Sequence, residues 1–171
     1  KGSKINLNNI NINPTRDGIL KALKKMGAKI NIKNKKTLSG EIVADLYVEY
    51  SDLVGCELDA EMAKFMIDEY PILSIAAAFA KGTSIFRGLK ELKVKESDRL
   101  ELIRLNLVNC GCDCQVINDD LIIRPAEKYI PKNNIIRTDF DHRIAMSFAV
   151  MGTRVHNLII EDAESINTSF P

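Results

Sequence analysis

Three short charged clusters hold the side chains of this chain that could do chemistry. They are Asp68-Glu69-Tyr70-Pro71, Lys95-Glu96-Ser97-Asp98-Arg99 and Asp141-His142-Arg143. Each stands just before an apolar or amphipathic run at helical spacing. A helix start carries unpaired backbone N–H groups and the positive end of the dipole, so it suits anions. Arg99 and Arg143 can grip a carboxylate or phosphate through two parallel hydrogen bonds, and Lys95 adds a point charge. Asp68 and Glu96 add carboxylates able to move protons. The chemistry expected is capture of a small anion with acid–base work beside it.

Each cluster also has an ordinary structural reading. Asp68 and Asp141 are N-cap residues, Pro71 is at home in a first helical turn, and Ser97 or Asp98 caps the helix that follows. His142 reads equally well as a structural histidine, and His156, in a turn before Leu158-Ile159-Ile160, as a surface one. What favours function is that three such clusters stand at corresponding helix starts. Cys110, Cys112 and Cys114 alternate, which puts small apolar groups on one face of a strand; a zinc site wants CxxC pairs and a fourth ligand. Cys56 reads as a lone thiol. There is no Walker loop, GxGxxG turn, Ser-His-Asp order or zinc spacing. Asn167-Thr168-Ser169 fits a glycosylation pattern, without consequence for a cytoplasmic protein.

The elements that must position these clusters follow from periodicity. Ile5 to Asn13 alternates as a strand, and Pro14 to Asp17 opens a helix with Ile19, Leu20, Leu23 and Met26 on one face, closed at Gly27. Ile30 and Ile32 mark a strand, Lys33 to Gly40 a polar turn, and Ile42 to Val48 another strand. Ser51 to Lys64 reads as a turn or short helix. Ile72 to Ala80 and Ile144 to Met151 are apolar nearly all round, the mark of buried helices. The strands alternate and so keep one face in water. The fold class expected is α/β, with helices inside and sheets outside, the reverse of doubly wound layering.

Internal repetition agrees. A shift of 73 residues lays Ile67-Asp68 on Phe140-Asp141, Ser74-Ile75-Ala76 on Ser147-Phe148-Ala149, and Lys95-Glu96 on Thr168-Ser169. A shift of 84 matches Leu23 with Leu107, Gly27 with Gly111 and Ile32 with Val116. The chain divides into repeat units of about 1–64, 65–137 and an incomplete 138–171.

Bulk properties narrow the partners. Among 171 residues, 24 basic and 23 acidic side chains leave a net charge of +1, so no global field draws nucleic acid or membrane. No apolar run reaches the roughly 18 residues of a membrane span. The first residues, Lys1-Gly2-Ser3-Lys4, lack a signal peptide's features, and the address expected is cytoplasmic. A start at lysine and a stop at Thr168-Ser169-Phe170-Pro171 read as a fragment of a longer protein.

In this order and spacing the clusters resemble the enolpyruvyl transferases, and among them the shikimate-pathway members. The likeness is carried by Met66 to Leu100 (MIDEYPILSIAAAFAKGTSIFRGLKELKVKESDRL) and Asp141 to Gly152 (DHRIAMSFAVMG). It is strong from Met66 to Pro171, weaker but collinear before, and most like the bacterial branch noted for insensitivity to glyphosate. The resemblance implies inside-out α/β units, three to a domain, in two domains that close on substrate. Residues 1–171 would then be most of the C-terminal domain, without the N-terminal domain and a last helix. The implied reaction joins the 5-hydroxyl of shikimate 3-phosphate to C2 of phosphoenolpyruvate and expels phosphate, on the way to chorismate and aromatic amino acids.

Roles follow by resemblance, residue by residue. Asp68 contacts the 5-hydroxyl and is a candidate base, and Glu96 meets phosphoenolpyruvate and exchanges a proton with its methylene carbon. Lys95 belongs to the shikimate 3-phosphate site, and Arg99 and Arg143 bind phosphoenolpyruvate. No metal or organic cofactor is implied, and the parent is expected to be a monomer. Two positions depart from part of the family: Glu91, where some members carry asparagine, and Thr168, where others carry lysine. Two alternatives stand beside this reading. One is an enolpyruvyl transferase acting on UDP-N-acetylglucosamine, whose family shares the fold but not the KESDR and DHRIAMS pair. The other is a non-catalytic domain of the same fold.

Overall fold

Cross-strand pairing of the alternating apolar positions builds the first unit. β1 (Lys4–Asn11) and β2 (Lys29–Leu38) both pair antiparallel with β3 (Glu41–Glu49). Val48 faces Ile5 and Ile30, and Leu46 faces Leu7 and Ile32, so these side chains share one face of the sheet. α1 (Gly18–Lys25) joins β1 to β2 and lays Leu20 against Ile12, Ala44 and Leu46. The computed structural model describes residues 2–169; Phe170 and Pro171, the end of the stretch over which the family likeness is strong, lie outside the described residues.

The second unit repeats this plan and extends it. β4 (Glu57–Leu58), β5 (Ser84–Phe86), β7 (Asp120–Arg124) and β6 (Asp113–Ile117) lie in that order, with β4 parallel to β5 and the other pairs antiparallel. Between β4 and β5 run a short α2 (Ala63–Met66), a 3-10 turn (Ile67–Glu69) and α3 (Tyr70–Ala78). A 3-10 turn (Lys90–Val94) and α4 (Arg99–Asn109) then lead into β6. The third unit opens the same way, with β8 (Ile135–Ile136) parallel to β9 (Ile159–Ile160) across α5 (His142–Gly152). A 3-10 turn over Ala163–Thr168 follows.

Both repeat shifts have a backbone meaning. Under the 84-residue shift α1 lies on α4, and each ends in the same C-terminal motif. Gly27 (φ +87°) and Gly111 (φ +95°) take the left-handed conformation, and the N–H groups of Ala28 and Cys112 return to the carbonyls of Leu23 and Leu107. Under the 73-residue shift, Ser74 Oγ donates to Tyr70 O at 2.7 Å and Ser147 Oγ to Arg143 O at 2.6 Å, the same bond in two helices. β4 already pairs with β5, and β8 with β9, so each new sheet begins before its helix and not at it.

Helices occupy the interior. Tyr70, Leu73, Ala77 and Ala78 of α3, Ile103 and Leu107 of α4, and Ile144, Phe148 and Met151 of α5 pack in one core with Phe86, Leu121 and Ile123 of the outer sheet. The layering is therefore helices within and sheets without. α5 departs from full burial, because Met146 (38% exposed), Ala149 and Val150 (50%) line up on its outer side, beside Ile72 of α3. The polar turn expected over 33–40 is a correction: β2 continues to Leu38, pairing past a bulge at Asn34. Only Ser39 and Gly40 turn, both at positive φ, as a two-residue hairpin requires.

Gly55 is held by a close approach. A Cβ there would sit 2.2 Å from the carbonyl oxygen of Thr83. Gly55→Ala is expected to cost about 1–3 kcal/mol, the usual range for overpacking, read from urea unfolding. An unchanged midpoint would mean that the loop gives way freely.

Candidate active site

Arg99 is where the three clusters meet. It is the first residue of α4, just after Asp98, whose side chain accepts the Glu101 N–H and so caps the helix. Its side chain runs inward and is fully buried. Nε donates to Asp141 Oδ2 at 2.8 Å, Nη1 to Asp68 Oδ1 at 2.9 Å and Nη2 to Glu96 Oε2 at 2.5 Å. One guanidinium thus ties the starts of α3, α4 and α5 together.

The two aspartates matched by the 73-residue repeat do different work. Asp141 is the cap of α5, and its Oδ1 accepts the N–H groups of Arg143 at 2.9 Å and Ile144 at 3.3 Å. Asp68 is not a cap, contrary to the expectation from sequence. It sits in the 3-10 turn, and the residue at the cap position of α3 is Glu69, which makes no capping bond. Freed from that task, Asp68 turns to the cations. Lys95 Nζ lies 3.5 Å from its Oδ1 and Arg143 Nη2 3.8 Å from its Oδ2, while Arg143 Nη1 donates to its backbone carbonyl at 3.2 Å.

Both aspartates are held ionised against their burial. Desolvation pushes the Asp68 carboxyl up, but Arg143, Lys95 and Arg99 together bring it below the usual range. Burial likewise opposes ionisation of Asp141. The Arg99 hydrogen bond and charge outweigh it, helped by the Ser97 hydroxyl and the Arg143 N–H. The thiols go the other way: burial lifts Cys110 to about 11 and Cys112 and Cys114 to about 12, so they remain protonated packing groups.

A cleft of about 370 Å³ opens beside this network, lined by Asp68, Glu69, His142, Arg143, Ser147 and Ser169 over an apolar floor of Ile72, Met146 and Val150. All five site residues expected from sequence are joined through Asp68 and Arg99, although only Asp68 and Arg143 line the cleft itself. Every nitrogen of the Arg99 guanidinium already has a carboxylate partner.

A sequence model of one family, EPSP synthase (3-phosphoshikimate 1-carboxyvinyltransferase), matches residues 1–171. The chain belongs to the EPSP synthase family. The 3-phosphoshikimate 1-carboxyvinyltransferase of Paramagnetospirillum magneticum is 46% identical over all of this chain, and that of Sulfurihydrogenibium 42% over 99% of it. The chain spans 39% of the length of each of these curated relatives. Among solved structures, EPSP synthase from Acinetobacter baumannii superposes on the whole chain with a TM-score of 0.92 at 37% identity, the chain covering 40% of that protein. The enolpyruvyl transferase NikO from Streptomyces tendae, 16% identical with a TM-score of 0.63, shares the fold.

Within this EPSP synthase family chain, sequence reading passed over two connections. Ser97 Oγ donates to Asp141 Oδ2 at 2.9 Å, and Asp141 binds Arg99 as well as capping α5. The partners lie 44 and 42 residues apart, so local spacing carries no trace of them. Glu91 is exposed in the turn before the cluster, and Thr168 Oγ1 bonds back to Ser165 O. Among the described residues no helix is long and apolar enough to cross a membrane.

Proposed function

We propose that this chain forms one side of the active site of a cytoplasmic enzyme that transfers the enolpyruvyl group of phosphoenolpyruvate to the 5-hydroxyl of shikimate 3-phosphate. The observation that carries the reading is the convergence of three helix starts on the Asp68–Arg99–Asp141 network in a chain of this family. Asp68 takes the hydroxyl proton as the oxygen adds to C2. Glu96 gives a proton to the methylene carbon and takes one back as the bond to phosphate breaks. Arg99, Arg143 and Lys95 hold the anions. An anion on Arg99 and Arg143 draws their charge away from Asp68, which makes that carboxylate a better base than in the empty site.

Charge balance supports a site completed by further polypeptide. Lys95, Arg99 and Arg143 are matched within this chain by Asp68, Glu96 and Asp141. Substrates bearing carboxylates and phosphates need more cations than remain, and the curated relatives are longer than this chain. On this reading residues 1–171 are most of a C-terminal domain of three repeat units, facing an N-terminal domain that brings the missing charge.

The test is release of phosphate from phosphoenolpyruvate plus shikimate 3-phosphate by the full-length polypeptide carrying this chain. Turnover with this acceptor and none with UDP-N-acetylglucosamine is expected, and the reverse would overturn the reading. The 171-residue chain alone is expected to turn nothing over and to bind phosphoenolpyruvate on the order of millimolar, measured by calorimetry.

A further inference from the structure

We infer that Asp141, which cannot touch a ligand, is the positioning residue that orients both anion-binding arginines. The inference rests on the function proposed above. Asp141 is wholly buried, and each of its oxygens is committed. Oδ1 accepts the N–H groups of Arg143 and Ile144, and Oδ2 accepts Arg99 Nε and the Ser97 hydroxyl. One carboxylate therefore fixes the backbone from which Arg143 projects and the guanidinium of Arg99.

The exchangeable and fixed contacts of Arg99 divide by burial. Its Nη atoms meet Asp68 and Glu96, whose side chains are 29% and 55% exposed, so an incoming anion can replace them. Its Nε meets Asp141, whose side chain is 0% exposed, and that bond stays as the anion enters. The Nη edge then keeps one direction, toward the place where Arg143 also reaches Asp68. Holding a forked donor in place before the ligand arrives lowers the ordering cost of binding.

Asp141 thus has two tasks, and one substitution separates them. Asparagine caps a helix about as well as aspartate but brings no charge to Arg99. In the full-length polypeptide Asp141→Asn is expected to fold. Its KM for phosphoenolpyruvate should rise about ten-fold or more, by analogy with the loss of groups that orient metal-binding residues. The KM for shikimate 3-phosphate should change far less. The Arg99 Nε–H, buried against Asp141, is expected to be shielded from exchange at neutral pH in the unsubstituted protein, and its resonance should broaden or vanish in the variant. A retained resonance together with an unchanged KM for phosphoenolpyruvate would overturn the inference. Should Asp141→Asn lack a cooperative unfolding transition, Asp141→Glu, which keeps the charge but displaces it, serves instead. A rise in the same KM supports the inference, and no change refutes it. A parent protein without enolpyruvyl transfer would sink the functional reading, while the Arg99 resonance would still report on the tether.

Discussion

Arg99→Met is expected to remove about 3–5 kcal/mol of folding stability, the range for breaking a buried ion pair on one side. Methionine fills much of the same volume, so little of the loss comes from a cavity. What remains is Asp141, wholly buried and facing no cation at Arg99's place, and Asp68 short of one partner. The pH dependence identifies the cause. In the unsubstituted chain both aspartates have depressed folded pKa values, so their contribution is complete above the unfolded value of about 3.9 and fades as pH falls through the folded one. Without Arg99, burial dominates at Asp141 and raises its pKa, so the defect is greatest at neutral pH and shrinks on acidification. Urea unfolding of both proteins at pH 7 and near pH 4 reads this directly. A gap independent of pH would mean that Arg99 acts through packing alone.

For Glu96→Gln the expected loss is kinetic: kcat down by about 10²–10⁴-fold, the usual worth of a positioned acid–base group. The geometry adds a second expectation. Glu96 holds Arg99 Nη2 at 2.5 Å, so it competes with any anion for that donor. Glutamine competes less, and the KM for phosphoenolpyruvate should hold steady or fall. A lowered kcat without a raised KM marks an interaction made in the transition state and not in binding. Steady-state kinetics with each substrate varied in turn measures both. An unchanged kcat would remove Glu96 from the proton-transfer step.

Much of this arrangement could be read from residue order. Apolar runs at 72–80 and 144–151 placed helices within the core, and the 84-residue shift anticipated matching helix ends at Gly27 and Gly111. Sites where a side chain chooses among partners were less legible. Lys33 to Leu38 looks like a turn because its strand is exposed along both faces, and exposed positions carry no alternation. Arg99 looks free because two of its three carboxylates come from residues 31 and 42 positions away. The outer side of α5 looks buried because Met146 and Val150 are apolar wherever they point.

Asp68 and Asp141 occupy equivalent places in two copies of one unit, yet one faces a cleft and the other is sealed in the interior. Their side chains are identical, so the difference lies in the backbone. Before α5 the chain enters the helix directly from an extended cap residue, and its aspartate is consumed by the first turn. Before α3 a single 3-10 turn is interposed, which moves the helix start two residues past Asp68 and leaves that carboxylate unspent. For a designer the lesson is economical. A latent acid can be exposed in such a repeat by rewinding three residues of main chain, with no new reactive group added to the sequence.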